Sequence, residues 1–99
     1  MLTREIEKTL ICLEYLEDNW DGYESPNPTH LSVERARSFL SECQYEPNDI
    51  GPDTLGGVGV VFVFEDDIEI NIMFLNSGRT LVVTIIGDDI CDISNIRLD

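Results

Sequence analysis

The two halves of the chain carry different hydrophobic repeats. In the first half, apolar residues recur at spacings of three and four, which is typical of one helix face. The first such set predicts a helix over 3–17, capped by Thr3, with an apolar face of Leu2, Ile6, Leu10, Leu13 and Leu16. A second helix is predicted over about 30–43, capped by Thr29 or Ser32. It should bury some combination of Val33, Ala36, Phe39, Leu40 and Cys43.

The second half alternates with a period of two, which is typical of strands. Strands are predicted at 58–64, 68–74 and 81–86, and 90–96 permits a fourth. The intervening turns, 65–67 and 76–79, are short enough for antiparallel hairpins, whereas 44–57 is predicted to be a loop. The pattern predicts a single α+β domain over 1–99, helical in 1–45 and β in 57–98. Two N-terminal helices should pack on one face of a three- to four-stranded antiparallel β-meander.

Charge is the unusual feature of the composition. The 99 residues include 20 Asp and Glu against six Lys and Arg, for a net charge of -14. Hydrophobic residues make up 42%, which favours a folded protein over an acidic disordered segment. Direct binding to nucleic acid or to an anionic membrane is disfavoured, and a basic protein surface is the favoured partner. The alternative is that the acidity only keeps the protein soluble.

The predicted meander concentrates carboxylates at one end. The turns after its first and third strands share that end, and they contain Glu65, Asp66, Asp67, Asp88 and Asp89, with Asp92 as a further candidate. We call this set the acidic ridge. With strands about 4.8 Å apart it should be roughly 10 to 15 Å long. DNA carries one charge per ~1.7 Å, so the ridge could imitate a short piece of phosphate backbone. The alternative is that Asp occurs here only for its backbone hydrogen bonds in turns.

Two hydrophobic features outside the predicted core matter for function. Ile11 and Tyr15 form an i, i+4 pair on the far side of the first helix. They either touch the second helix or form a contact surface, as an antitoxin- or immunity-type binding protein would need. Trp20, in the turn that follows the helix, is expected to be a core anchor.

The chain lacks the residue patterns of catalysis. His30 is the only histidine, without a G-x-S-x-G motif or a paired Cys and His, so we expect a surface residue. Gly56-Gly57-Val58-Gly59 looks like a phosphate loop, but it enters a strand and has no Lys. The 18–22 segment has the wrong spacing for a calcium loop. We predict no enzyme activity, no cofactor and no metal.

Cysteine usage and the N-terminus bear on location. Cys12, Cys43 and Cys91 are odd in number and widely spaced, which predicts reduced, packed thiols in a cytoplasmic protein. We expect no secretory signal and no membrane span.

One motif suggests relatives. Asn19-Trp20-Asp21-Gly22-Tyr23 is followed by Ser25-Pro26, a helix, Gly56-Gly57-Val58 and Ile68-Glu69-Ile70. This order resembles small uncharacterised bacterial and phage proteins that share an Asn-Trp-Asp-Gly-Tyr-Gly turn, although Glu24 stands where they have Gly. The resemblance implies an α+β fold and a bacterial or phage setting, and it brings no function. The acidic composition is also similar to that of anti-CRISPR-type inhibitors, several of which mimic nucleic acid.

The function predicted from the sequence is therefore interaction. The first hypothesis is an inhibitor from a phage or mobile element that covers a basic, nucleic-acid-binding surface with its acidic ridge. The second is a binding protein that uses the apolar pair Ile11 and Tyr15, as a monomer or a homodimer.

Overall fold

The described part of the chain folds as two helices and one antiparallel sheet, which confirms the α+β class. The computed structural model describes residues 2–17, 22 and 26–96, with the backbone alone for residues 91, 92, 95 and 96. In chain order its elements are α1 (Arg4–Glu14), α2 (His30–Glu42), β1 (Asp49–Pro52), β2 (Gly57–Phe64), β3 (Ile68–Leu75), β4 (Thr80–Ile86) and β5 (Asp89–Ile96).

Helix α1 begins where the sequence predicts and ends earlier. The Thr3 hydroxyl accepts a hydrogen bond from the Ile6 amide at 3.1 Å, so Thr3 is the N-cap. Ile6, Leu10 and Leu13 are buried. The helix stops at Glu14, three residues before the predicted end, and Leu16 is only partly buried. Leu2 precedes the cap and stays exposed.

Helix α2 has nearly the predicted bounds, and an ion pair joins it to α1. Thr29, and not Ser32, is the cap, because the Ser32 amide donates to the Thr29 hydroxyl at 3.2 Å. Val33, Ala36 and Leu40 are fully buried, while Phe39 and Cys43 are partly buried. Arg37 then joins the two helices, donating to Glu7 at 2.5 Å and to Glu34.

The sheet has five strands in the order β1-β2-β3-β4-β5, so the predicted count of three to four was wrong. The extra strand, β1, lies in the segment predicted to be a loop, and it pairs with β2 through Ile50↔Val60 and Pro52↔Val58. A strand with a Gly and a Pro among its four residues gives little sequence signal. Pro lacks an amide donor and is tolerated only at a sheet edge, which is where β1 lies.

Successive residues of each strand point to opposite faces of the sheet. One face packs against the helices, and we call it the helix-covered face. Its buried apolar residues are Val58, Val60, Phe62, Ile72 and Phe74, and Thr80 is buried beside Phe74. The Phe39 ring of α2 lies 5.6 Å from Phe74 and 6.3 Å from Phe62, centroid to centroid. We call the other side the open face, because the core residues of α1 and α2 cluster with the first face.

Gly57 and Asn76 stabilise the end of the sheet that lies nearest the start of α2. Gly57 approaches β3 so closely that a Cβ on it would lie 2.1 Å from the Phe74 carbonyl oxygen. Gly57 therefore allows close packing of β2 on β3, and the 56–59 segment enters a strand, as the sequence predicted. The Asn76 side chain accepts from the Thr29 amide and donates to the Asn27 carbonyl, both at 2.9 Å.

The prediction of packed thiols is wrong for Cys12. Cys43 is half-buried, but Cys12 is exposed, because it lies on the outer side of α1. The turn residues Asn19, Trp20, Asp21 and Tyr23 lie outside the described residues, so the predicted core role of Trp20 stays a prediction. Of the helices in the described part of the chain, neither has the length and apolar character needed to cross a membrane.

Candidate partner-binding surface

The two acidic turns lie side by side at one end of the sheet. Ile68 of β3 pairs with Ile86 of β4, which sets the β2–β3 loop against the β4–β5 loop. The Gly87 amide donates to the Asp67 carbonyl oxygen at 3.0 Å and joins the loops directly. The meander thus brings together the two segments that the sequence predicted to meet.

The ridge side chains point into solvent. Glu65, Asp66, Asp67, Asp88 and Asp89 are all exposed. Asp92 occupies a different place, since its Cα pairs with that of Thr84 within β5 and not in the turn. The end of the sheet therefore carries five exposed carboxylates.

The β2–β3 loop has positive φ at two successive residues. Asp66 has φ 63° and Asp67 has φ 58°, the left-handed region that L residues other than Asn and Asp seldom adopt. The loop holds three residues, Glu65, Asp66 and Asp67, between the paired Phe64 and Ile68. Gly adopts positive φ without steric cost, whereas Asp does so only occasionally. Two aspartates thus occupy positions that Gly would fill with less strain.

Basic residues, more than acidic ones, are divided unevenly along the chain. Residues 1–48, which include both helices, contain ten acidic and four basic residues. Residues 49–96 contain nine acidic residues and one basic residue, Arg79. None of the five strands contains a Lys or Arg. The negative charge of the ridge is therefore continuous with an acidic sheet.

The open face is mostly apolar, although it faces away from the helices. Strand register places nine apolar side chains on it, all half-buried or exposed: Val61, Val63, Met73, Leu75, Leu81, Val83, Ile85, Ile90 and Ile93. A register shift in β5 leaves Cys91 without a Cα partner in β4, and this keeps Ile90 and Ile93 on the same side. An antiparallel sheet with one solvated face normally alternates apolar and polar residues. The apolar runs in β2 and β4 were the sequence signal for this face.

A groove crosses the open face where two glycines meet. Gly51 of β1 pairs with Gly59 of β2, so neither strand supplies a side chain at this position. The groove has a volume of about 330 Å³, and its lining includes Val61, Met73 and Val83. Asp49 and Asp53 stand at its β1 side. The pairing of the two glycines depends on register, which the sequence pattern did not reveal.

The ridge and the open face meet in a second depression. It measures about 370 Å³ and is lined by Val63, Asp67, Glu69, Ile85, Gly87 and Asp88. Carboxylates and apolar side chains therefore border the same concave surface. Glu69 lies on the open face itself, where its carboxylate accepts a hydrogen bond from the Asn71 side chain at 3.0 Å.

The alternative apolar pair lies on the helical side. Tyr15 is 80% exposed and Ile11 is 45% exposed. Their exposure answers the question the sequence left open: the pair is on the surface and is not packed under α2. Ile11 lies on α1 and Tyr15 is its C-cap residue, whereas the ridge lies in the loops of the sheet.

A cluster that sequence reasoning missed links the helices. Glu14, His30 and Glu34 bring one possible metal-ligand atom each to within 4.8 Å of one another. His30 contacts Glu14, and Glu34 contacts Arg37. The side chain of His30 is 75% exposed, as predicted for a surface residue. Its contact with a residue sixteen positions earlier depends on how the helices cross, which no local motif encodes.

No protein-family model, curated protein or solved structure matches this chain. The resemblance to bacterial and phage proteins with an Asn-Trp-Asp-Gly-Tyr turn stays a prediction.

Proposed function

We propose that this chain is a non-enzymatic inhibitor, encoded by a phage or mobile element and active in the bacterial cytoplasm. In this proposal its acidic ridge covers a basic, nucleic-acid-binding surface of another protein. The observation that carries the proposal is the junction of the two acidic turns, made by the Gly87–Asp67 hydrogen bond.

Charge density supports this interpretation. Five exposed carboxylates occupy about three strand spacings, or roughly 10 to 15 Å. Duplex DNA presents about six to nine phosphate charges over that length. A groove that binds phosphates with Lys and Arg would therefore meet a comparable row of anions on the ridge.

The strained loop supports a role beyond turn formation. If Asp66 and Asp67 served only the turn, Gly would adopt the same positive φ values at lower conformational cost. Carboxylates held in a sparsely populated backbone region are a reason to look for function at that site.

The test is affinity capture from a bacterial lysate with a ridge variant and a matched control. The ridge variant carries Asp66→Asn, Asp67→Gly, Asp88→Asn and Asp89→Asn. The control removes four exposed charges elsewhere: Glu5→Gln, Glu17→Gln, Glu42→Gln and Glu46→Gln.

We expect wild type and control to capture basic nucleic-acid-binding proteins. Duplex DNA and high salt should release them, because phosphate-like contacts weaken steeply between ~50 and ~500 mM salt. The ridge variant should capture little. Equal capture by the ridge variant, or capture that is insensitive to salt, would contradict the proposal.

A second candidate function rests on the exposed pair Ile11 and Tyr15. An antitoxin- or immunity-type protein that binds through this patch should show weak salt dependence. Tyr15→Asp should abolish its binding, and a folded Tyr15→Asp protein that binds normally would eliminate this candidate.

A further inference from the structure

The open face has the composition of an interface. Nine apolar side chains lie on it, and three of them, Val63, Ile90 and Ile93, are at least half exposed, at 50%, 62% and 62%. Contiguous exposed apolar surface of this kind marks interaction sites in soluble proteins. The helix-covered face already supplies the core, so these side chains are not needed to bury α1 or α2.

Its size indicates that the open face acts together with the ridge. Five strands about 4.8 Å apart, four to eight residues long at ~3.4 Å per residue, give a face of roughly 500 to 600 Å². A stable protein interface buries about 800 Å² per partner. The adjoining ridge can supply the difference, since the two surfaces share the depression formed by Asp67, Glu69 and Ile85.

The charge around the face selects the chemistry of the occupant. Asp49 and Asp53 flank the groove at one side, and Glu69 lies between the groove and the ridge. No strand contains a Lys or Arg to balance them. A second copy of this chain would set like charges against each other, and like charges across an interface disfavour pairing. An apolar segment flanked by basic residues complements both the apolar centre and the acidic rim.

We propose that the open face is a docking site for a protein segment whose apolar side chains alternate with, or are flanked by, Lys or Arg. One apolar side chain of that segment enters the groove over Gly51 and Gly59. This inference rests on the proposed function and extends it, because it names the surface beside the ridge and the kind of partner segment that the surface holds.

The test uses three synthetic peptides of equal length and an isotope-labelled protein observed by NMR. The first peptide alternates Ile and Lys, the second Ile and Glu, and the third Ser and Lys. We expect the Ile–Lys peptide to shift amide signals of the open face, including Gly59 and Met73. It should bind about tenfold or more tightly than the Ser–Lys peptide, as expected for an anchor that fills a pocket. The Ile–Glu peptide should not bind.

A groove-filling variant tests the site without disturbing the fold. A Cβ on Gly51 would meet no atom within 4 Å, and one on Gly59 only ordinary contacts at 3.8 and 3.9 Å. Val is also favoured in strands. Gly51→Val with Gly59→Val should therefore stay folded and weaken binding of the Ile–Lys peptide about tenfold or more.

Four results would overturn the inference. The first is absence of binding by the Ile–Lys peptide, and the second is equal binding of the two Lys peptides with shifts confined to the ridge. The third is unchanged peptide binding by the folded groove variant. The fourth is a dimer in sedimentation whose interface covers the open face.

The ridge variant separates this inference from the proposed function. If the groove variant still captures basic proteins in a salt-sensitive way and still binds the Ile–Lys peptide as wild type does, the ridge works and the docking inference fails. If the ridge variant captures as wild type does while the groove variant loses the peptide, the proposed function fails and the open face remains a docking site.

Discussion

The two faces of the sheet are both apolar, yet only one of them is core. On the helix-covered face, Val58, Val60 and Phe74 are at most 1% exposed. On the open face, their sequence neighbours Val61 and Met73 are only half-buried, and Val63 is exposed. The same strands thus carry a folding surface on one side and a candidate binding surface on the other. Substitutions on the first should cost stability, and those on the second should cost binding.

The largest expected effect compares adjacent residues of β3. Phe74→Ala should destabilise the protein by about 3 to 5 kcal/mol, because it leaves a cavity beneath α2. Met73→Ala, on the open face, should cost less than about 1 kcal/mol. Urea unfolding followed by circular dichroism measures both. Similar losses would mean that the open face is covered in solution, which would break the comparison.

The glycines of β2 offer the next contrast. Gly57 has φ 136° and no room for a Cβ beside the Phe74 carbonyl. Gly57→Ala should therefore cost about 2 kcal/mol or more. Gly59→Ala, in the groove, should be neutral or stabilise by about 0.5 to 1 kcal/mol, since Gly weakens a strand. Thermal unfolding of the two variants, side by side, checks the difference. A destabilised Gly59→Ala would show that the groove is needed for folding.

A smaller effect is expected where the sheet is tied to α2. Asn76→Ala removes hydrogen bonds to Thr29 and Asn27 and should cost about 1 to 3 kcal/mol. Asn76→Asp keeps the acceptor for the Thr29 amide and should cost less. Urea unfolding checks both, with Ser77→Ala as the neighbouring control. If Asn76→Ala and Ser77→Ala behaved alike, the loop would not anchor the helix.

The smallest effect has the opposite sign and lies at the ridge end. Asp66→Asn with Asp67→Gly should stabilise the protein by about 1 kcal/mol, because Asn and Gly adopt positive φ more readily. The gain should persist at high salt, where relief of repulsion between carboxylates is screened. Glu42→Gln with Glu46→Gln is the charge-matched control and should give little gain. A lower free energy of unfolding for Asp66→Asn with Asp67→Gly would mean that the two aspartates stabilise the turn.

Periodicity predicted most of the fold because it reports burial directly. The spacing of apolar residues and the N-caps Thr3 and Thr29 predicted the two helices, and the alternation of apolar residues predicted β2, β3 and β4. Strand β1 escaped prediction because Ile50 is its only large apolar residue, and its place in the sheet depends on pairing with β2. The early end of α1 at Glu14 shows how weakly local sequence specifies a helix terminus.

The candidate surface was predictable only in part. Alternating strands were enough to place Asp67 near Gly87, because consecutive antiparallel strands leave turns at two ends only. The groove was not predictable, since it requires Gly51 and Gly59 to pair in register. The open face was visible as apolar residues at both alternating positions. That pattern does not by itself tell a second core face from a binding face.

The scarcity of basic residues in the sheet affects how a partner approaches. Residues 49–96 contain Arg79 as their one basic residue against nine acidic residues, so this part of the chain attracts a positively charged surface with little opposing repulsion. Long-range attraction of this kind raises the rate of association, and mobile ions diminish it as their concentration rises. The charge of the sheet would thus govern the speed of association as well as its site.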